Sequence, residues 1–372
     1  MARKQKTDNN NKSENVPVSW FSLEGKADDV IISTRARLVR NLADFPFPQM
    51  MSEDDRQRVQ ALAYDAFCNN NDWHFLEMNR ISEPGKQILN DKNILKDIKN
   101  TKCTACVINN KDESITCLVN ESDHLKISVF EAGLDCEKAM EKLYKTDEFL
   151  QEKLQFAASI DFGYLTSHIK DSGTGLKFSI RVFIPSIVLS GQFDSVVSLV
   201  RQKKLAIKPV FKSEEIADFS NCLFDICTSS SAEGTEFDQM AVIQSAGEVI
   251  LKTERKIQRE FADNNPTVVL NFFKQSYSRA MNSLLLSYEE AVSIISAVKW
   301  GLQLHLIKGI SEKELNALYY STKEGYLKYL CDSYAFSFEE DVKASQNLQI
   351  KRLRTIVIQQ AFEEIVNEKP VS

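Results

Sequence analysis

The hydrophobic period of this chain turns helical late and stays so, and that change limits the folds open to it. In the first two thirds, apolar residues alternate in short runs. Leu125, Ile127 and Val129 form one run; Phe178, Ile180, Val182 and Ile184 form another, ended by Pro185. A period of two puts alternate side chains on one face of a strand, and proline lacks the donor that a ladder needs. Residues 105–108 and 115–119 flank Asn-Asn-Lys-Asp-Glu, which predicts a hairpin. Residues 205–210 and 222–227 are shorter strand candidates. Ahead of these, residues 52–68 read as a helix, with Val59, Leu62, Ala63, Ala66 and Phe67 on one face and Ser52 with Asp55 as its cap. From about Phe237 the period becomes helical and stays so. Pro266 marks a break, Ser287 with Glu290 and Ser311 with Glu314 spell capping boxes, and Gly309 reads as a helix terminator between them. Clustered strands with helices between and after them predict an α+β fold, a largely antiparallel sheet flanked by helices and then a helical domain. The expected division is a tail over 1–17, one domain over 18–255 and a helical one over 256–368.

Composition excludes several functions. With 372 residues and 43% hydrophobic side chains the chain can bury a substantial core. A net charge of -6 without a basic block argues against nonspecific nucleic-acid binding, which needs Lys and Arg against phosphates. No apolar run reaches the length of a membrane span. The first 17 residues lack the apolar centre of a secretory signal and read as a disordered, cytoplasmic tail. The eight cysteines are scattered and do not outline a disulfide framework. Cys103 and Cys106 form one CxxC. A zinc site needs a second ligand pair, so the two read as residues at a strand edge and no metal site is expected.

No GxxxxGK[ST] loop and no GxGxxG is present. Four other segments carry candidate chemistry. In Ser33-Thr34-Arg35-Ala36-Arg37-Leu38-Val39-Arg40-Asn41, Arg35 and Arg37 share a strand face. Two guanidinium forks there suit phosphate oxygens, although a basic pair at this spacing is more often a solvated face. In Asn120-Glu121-Ser122-Asp123-His124-Leu125-Lys126, a carboxylate beside an acid and a histidine can serve as a base or form a polar turn before a strand. Gly163-Tyr164-Leu165-Thr166-Ser167-His168, followed by Gly173-Thr174-Gly175-Leu176-Lys177, lets backbone approach a ligand closely. The fourth segment is Leu205-Ala206-Ile207-Lys208 and the loop after it, residues 209–218.

Together and in this order the segments resemble the ATP:guanido phosphotransferases, the phosphagen kinases. That family shows STRxRxxR, then NEEDH-x-R, then GYxxTCPxNxGTGxR, then a strand ending in R-G before a glutamate-containing loop. The resemblance spans roughly residues 20–354 and is closer to the bacterial protein-arginine kinase branch. The run Asp44-Phe45-Pro46-Phe47-Pro48, Lys308-Gly309-Ile310-Ser311 and the helical C-terminal region fit that branch.

The resemblance implies transfer of the ATP γ-phosphoryl group to a protein arginine, with Mg²⁺ accompanying the nucleotide. It implies a homodimer, and as partners an arginine-bearing protein substrate, a Clp-type unfoldase and a zinc-finger activator protein. Carried over by position, Arg35 and Arg37 match the first two phosphate-binding arginines, Glu121 matches a motif glutamate, and His124 is placed near the nucleotide. Lys126, Lys177 and Lys208 stand where the family has its other three arginines, and His168 stands where it has a cysteine. Glu214 or Glu215 takes the part of the late-loop glutamate. Lysine keeps the charge but loses the planar fork, and imidazole does not replace a thiolate beside a guanidinium. Where the branch carries an Arg-Asp-x-x-Arg-Ala segment that binds phosphoarginine, this chain reads Glu340-Asp341-Val342-Lys343-Ala344-Ser345. The expectation is therefore impaired transfer to arginine, or a pseudo-kinase that keeps the fold as an adaptor.

Overall fold

The run Ile-Ile-Ser-Thr-Arg-Ala-Arg-Leu-Val-Arg forms the strand on which the sheet is built, β1 (Ile31–Arg40). The computed structural model describes residues 19–68, 72–95, 103–109, 111–211, 219–232 and 234–367. The expected tail, and Glu214 and Glu215, lie outside the described residues. Helix α1 (Glu53–Cys68) and β2 (Trp73–Glu77) follow β1, then α2 (Glu83–Asp91) and the strands β3 (Ala105–Asn109), β4 (Ile115–Val119) and β5 (Leu125–Ala132). Next come α3 (Cys136–Gln151), a small hairpin of β6 (Ala158–Ser159) and β7 (Gly163–Tyr164), β8 (Leu176–Phe183), α4 (Pro185–Leu189) and α5 (Phe193–Gln202). The last sheet strands are β9 (Leu205–Pro209) and β10 (Leu223–Thr228). Eight strands pair in the order β2-β3-β4-β5-β1-β8-β10-β9, antiparallel at every pairing.

The helical part begins with α6 (Glu236–Asn264) and α7 (Pro266–Asn282), then α8 (Tyr288–Gln303), α9 (Glu312–Ser321), α10 (Glu324–Ser333), α11 (Glu340–Lys343) and α12 (Gln346–Phe362). Between them β11 (Ile307–Lys308) pairs with β12 (Val366–Asn367). The antiparallel sheet flanked by helices agrees with the α+β expectation, as do the β3–β4 hairpin and the two capping boxes at Ser287 and Ser311. Ser52 Oγ accepts from the Asp55 N–H, capping α1 as expected. Leu62, however, points outward from α1 at 39% exposure.

Gly309 is not a helix terminator. Helix α8 ends at Gln303, and the left-handed residue just past it is His305. Gly309 follows β11, where a Cβ would lie 2.0 Å from the Glu364 carbonyl oxygen, so the close approach of β12 requires glycine there. Helix α6 passes through residue 255, near which the domain division was expected, and first breaks at Asn265.

The sheet buries both faces, in different ways. On one, Ala36, Leu38, Ile127, Val129, Phe178 and Ile180 pack against α1, α3 and α6. On the other, Ile32, Cys106, Leu118, Phe130, Phe183 and Leu223 join a second core with Val292, Ile295, Trp300, Leu315 and Phe362 of the late helices. The rest of that second face is polar.

The late helices also grip the lead-in to β1. Lys299 on α8 is fully buried, and its ammonium donates to the Asp28 carbonyl at 2.8 Å and to Glu312 on α9. Gln303 donates to the Asp29 carbonyl at 2.8 Å, and Arg255 on α6 holds the Asp29 carboxylate with two bonds of 2.8 Å. Breaking a buried ion pair by removing one partner leaves the other charge uncompensated. Lys299→Ala is expected to destabilise the chain by about 3–5 kcal/mol in urea unfolding.

Glu254, fully buried on α6, accepts from the Ser186 and Ile187 N–H groups at the start of α4. Burial raises its pKa from 4.5 to about 7, against the pull of those two donors. The folded chain therefore binds more protons than the unfolded chain between these values. This group's contribution falls as pH rises through that window, by up to about 3 kcal/mol, and is flat above it. Unfolding measured at about pH 5 and about pH 7.5 is expected to show that slope in the parent chain and its loss in Glu254→Gln.

Candidate functional site

Register decides which side chains share a face. Arg37 lies opposite Lys177 on β8 and Ser128 on β5, while Arg35 lies opposite Ser179 and Phe130. Lys126 pairs with Val39, and Lys208 with Asp225, which in turn faces Arg181. Opposed residues point the same way, as do residues two apart on a strand. Arg35, Arg37, Lys126, Lys177 and Lys208 therefore all stand on the polar half of the second face.

A cleft of about 1230 Å³ runs over this half. Its lining brings together Arg35, Arg37, Lys177, Lys208 and His168, and adds Lys170, Asp171 and Asp225. Five cations thus face two carboxylates, a surplus suited to a polyphosphate. Arg35 donates to Ser128 Oγ at 2.9 Å and lies 5.1 Å over the Phe130 ring. Burial, and then repulsion from Arg37, push its pKa down to about 10. The Nε atoms of Arg35 and Arg37 are buried without a partner, donors that fit an incoming phosphate oxygen. Among the described residues no group of three or more His, Cys, Asp or Glu forms a metal cage.

The carboxylates of this face are engaged. Asp171 accepts from Arg37 at 3.1 Å and from Lys177 through its other oxygen. Asp225 takes Arg181 in a two-pronged pair at 2.8 and 2.9 Å. Burial disfavours the Arg181 charge, but Asp225 outweighs it and holds the pKa above the ordinary value.

Three expected residues are not in the cleft lining. Lys126 is 4% exposed, and its ammonium contacts Glu121 Oε2; Glu121 Oε1 is buried without a partner. His124 is fully buried and uses its ring on backbone. Nδ1 accepts from the Leu42 N–H at 2.9 Å, so Nε2 carries the proton toward the Pro46 carbonyl at 2.9 Å. Burial keeps its pKa low. The histidine is a strut for the loop after β1, and the structure does not bring it to the cleft.

His168 is exposed at the cleft wall. Its carbonyl accepts from the Asp171 N–H at 2.7 Å and from Thr166 Oγ1 at 2.8 Å, while its ring bonds no described residue. The same lobe is tied to the Glu121 segment by the Ser167 N–H, which donates to Asp123 at 2.7 Å.

A sequence model described as "ATP:guanido phosphotransferase, C-terminal catalytic domain" matches residues 55–257. The chain belongs to the ATP:guanido phosphotransferase family. A protein-arginine kinase of Bacillus cereus (strain B4264) is 27% identical over 316 residues, 83% of this chain and 88% of the relative. One of Geobacillus stearothermophilus is 26% identical over 343 residues, 90% and 93% of the two chains. Solved phosphagen kinases share the fold. Lombricine kinase matches with a TM-score of 0.55 at 13% identity, over 67% of this chain and 74% of that one. The duplicated taurocyamine kinase from Schistosoma mansoni with bound transition state analog components matches with 0.56 at 18%, over 70% and 40%.

Against the family motifs four further departures stand, Ser122, Ser167, Ile169 and Asp171, and the first and last of them change charge. Asn-Glu-Ser-Asp-His puts Ser122 in place of the second glutamate of NEEDH. In GYxxTCPxNxGTGxR the asparagine position is Asp171, the carboxylate that bridges Arg37 and Lys177. The two-residue period from Lys177 also reaches Arg181, which sequence reading passed over.

Asp171 stands where it would compete with an incoming phosphate for two cations. Asp171→Asn is expected to raise affinity for inorganic tripolyphosphate about three- to tenfold in calorimetric titration, roughly 1 kcal/mol. Unchanged or weaker binding would show that the carboxylate does not compete.

Proposed function

We propose that the chain binds ATP, accompanied by Mg²⁺, in the cleft, and that its transfer of the γ-phosphoryl group to protein arginine is impaired. The observation that carries this reading is an imbalance between the two halves of the site. The donor half keeps its charge: Arg35, Arg37, Lys177 and Lys208 line one cleft, with unpaired, buried Nε donors on both arginines. The acceptor half does not. Glu121 already holds Lys126, Ser122 has no carboxylate, and His168 replaces the cysteine. A guanidinium entering here meets a neutralised pair, and loss of alignment slows transfer steeply.

The reading makes a graded prediction. Arg35→Ala should weaken ATP binding by about tenfold or more, the worth of a charged hydrogen bond, with the remaining affinity falling as salt rises. With ATP, Mg²⁺ and an unfolded arginine-rich protein, the unaltered chain should yield little or no phosphoarginine by mass spectrometry. Ser122→Glu together with His168→Cys should raise the yield by more than the two single changes combined, because they serve one acceptor group. Robust turnover by the unaltered chain would sink the impairment, and Glu214 and Glu215 would then be the next residues to change.

One observation favours the adaptor alternative. Ile160, Phe162 and Ile169 are 104%, 68% and 87% exposed on the lobe that carries His168. Exposed apolar side chains beside a cleft suit a protein partner, whether an unfolded substrate, a Clp-type unfoldase or a zinc-finger activator. Homodimerisation belongs to this proposal as well.

A further inference from the structure

The changes that disable arginine as an acceptor leave a different nitrogen beside the cations. A guanidinium is protonated at every physiological pH and has no unshared pair to offer. It needs carboxylates to orient it and take its proton, and here Glu121 is paired while Ser122 has none. A neutral imidazole needs no such help, since one ring nitrogen carries an in-plane pair, and histidine is an established covalent nucleophile. His168 is exposed on the cleft wall, and its ring bonds no described residue. It lies one tight turn from the phosphate-facing cations. Its own carbonyl accepts from the Asp171 N–H, and the Asp171 carboxylate touches Arg37 and Lys177.

We propose that His168 is itself a phosphoryl acceptor, so that the chain phosphorylates its own imidazole from ATP. The unshared pair of one ring nitrogen attacks the γ-phosphorus. The bond from that phosphorus to the β,γ-bridging oxygen breaks, and ADP leaves with the electron pair. The proton on the other ring nitrogen passes to water, and a phosphoimidazole remains whose ring is uncharged and whose phosphoryl group is anionic. Arg35, Arg37 and Lys177 offset the charge that builds on the leaving phosphates. A nitrogen–phosphorus bond forms, as it does in transfer to a guanidinium, but within one chain and without an acceptor carboxylate.

The inference rests on the reading that the cleft holds ATP, and the test separates the two. The full chain is incubated with Mg²⁺ and ATP labelled in the γ-phosphate, quenched in alkali and mapped by mass spectrometry. Binding of a non-hydrolysable ATP analogue is measured in parallel by equilibrium dialysis. The expected result is label on His168, stable in mild alkali, released by acid and returned to nucleotide when excess ADP is added. Arg35→Ala should lower both label and binding. His168→Gln should lose the label at an unchanged melting temperature, since the side chain is exposed. Analogue binding with no label at His168 overturns the inference and leaves the nucleotide site standing. Label confined to arginine, or to any residue other than His168, overturns it as well. Failure to bind the analogue overturns the nucleotide reading and the inference with it.

Discussion

Arg35 and Arg37 are carried on an interior strand of the sheet, and much of the site answers to that constraint. A guanidinium drawn out of water must find hydrogen bonds or counter-charges. Arg35 has Ser128 and the face of Phe130, and partial burial lowers its pKa. Arg37 has Asp171. The neighbouring strands extend the same logic, with Arg181 on Asp225 and Lys126 on Glu121. A cationic floor of this kind is stable before any ligand arrives because the chain supplies its own anions. Those anions set the threshold that an incoming anion would have to exceed, so self-pairing of the cations and affinity for an outside anion work against each other.

The same strand is fixed from its other end. Asp28 and Asp29 lead into β1, and side chains from α6, α8 and α9 hold both of them. The late helices also cover the apolar half of the face whose polar half forms the cleft floor. They are therefore part of the site's foundation. A displacement of the strand by an ångström would shift two guanidinium groups together, and catalytic geometry tolerates little of that.

Much of this was legible in the sequence where local chemistry decides the outcome. The alternation of β5 and β8, the hairpin turn after Asn109 and the capping boxes at Ser287 and Ser311 are each read from a few adjacent residues. Gly309 misled because a glycine after a helical pattern usually marks a helix end. Its real constraint is a strand almost sixty residues further on, which no local pattern reveals. His124 misled for a related reason. The resemblance places it near the nucleotide, yet the loop after β1 uses both its nitrogens. Contacts between distant segments, such as Asp171 with Arg37, depend on strand order, and the period of a strand does not specify its neighbours.

Lysine in place of arginine ties these departures together. An arginine fork is planar and engages two oxygens in a fixed plane, whereas an ammonium on a flexible stem turns toward whatever anion is nearest. Lys126 contacts Glu121, and Lys177 contacts Asp171, so in both cases a lysine at a family arginine position meets a carboxylate of the chain itself. The Asp171–Lys177 pair also joins two of the departures from the family motif, an acid for an amide and an ammonium for a guanidinium, six residues apart in one segment. Asp171 also touches the Arg37 fork, whose direction is fixed. Beside a lysine it makes a contact that a stronger, multiply charged anion can displace, because the stem can swing away and the ammonium keeps its charge. The cleft thus keeps its cationic character, which depends on charge more than on the fixed plane of a fork.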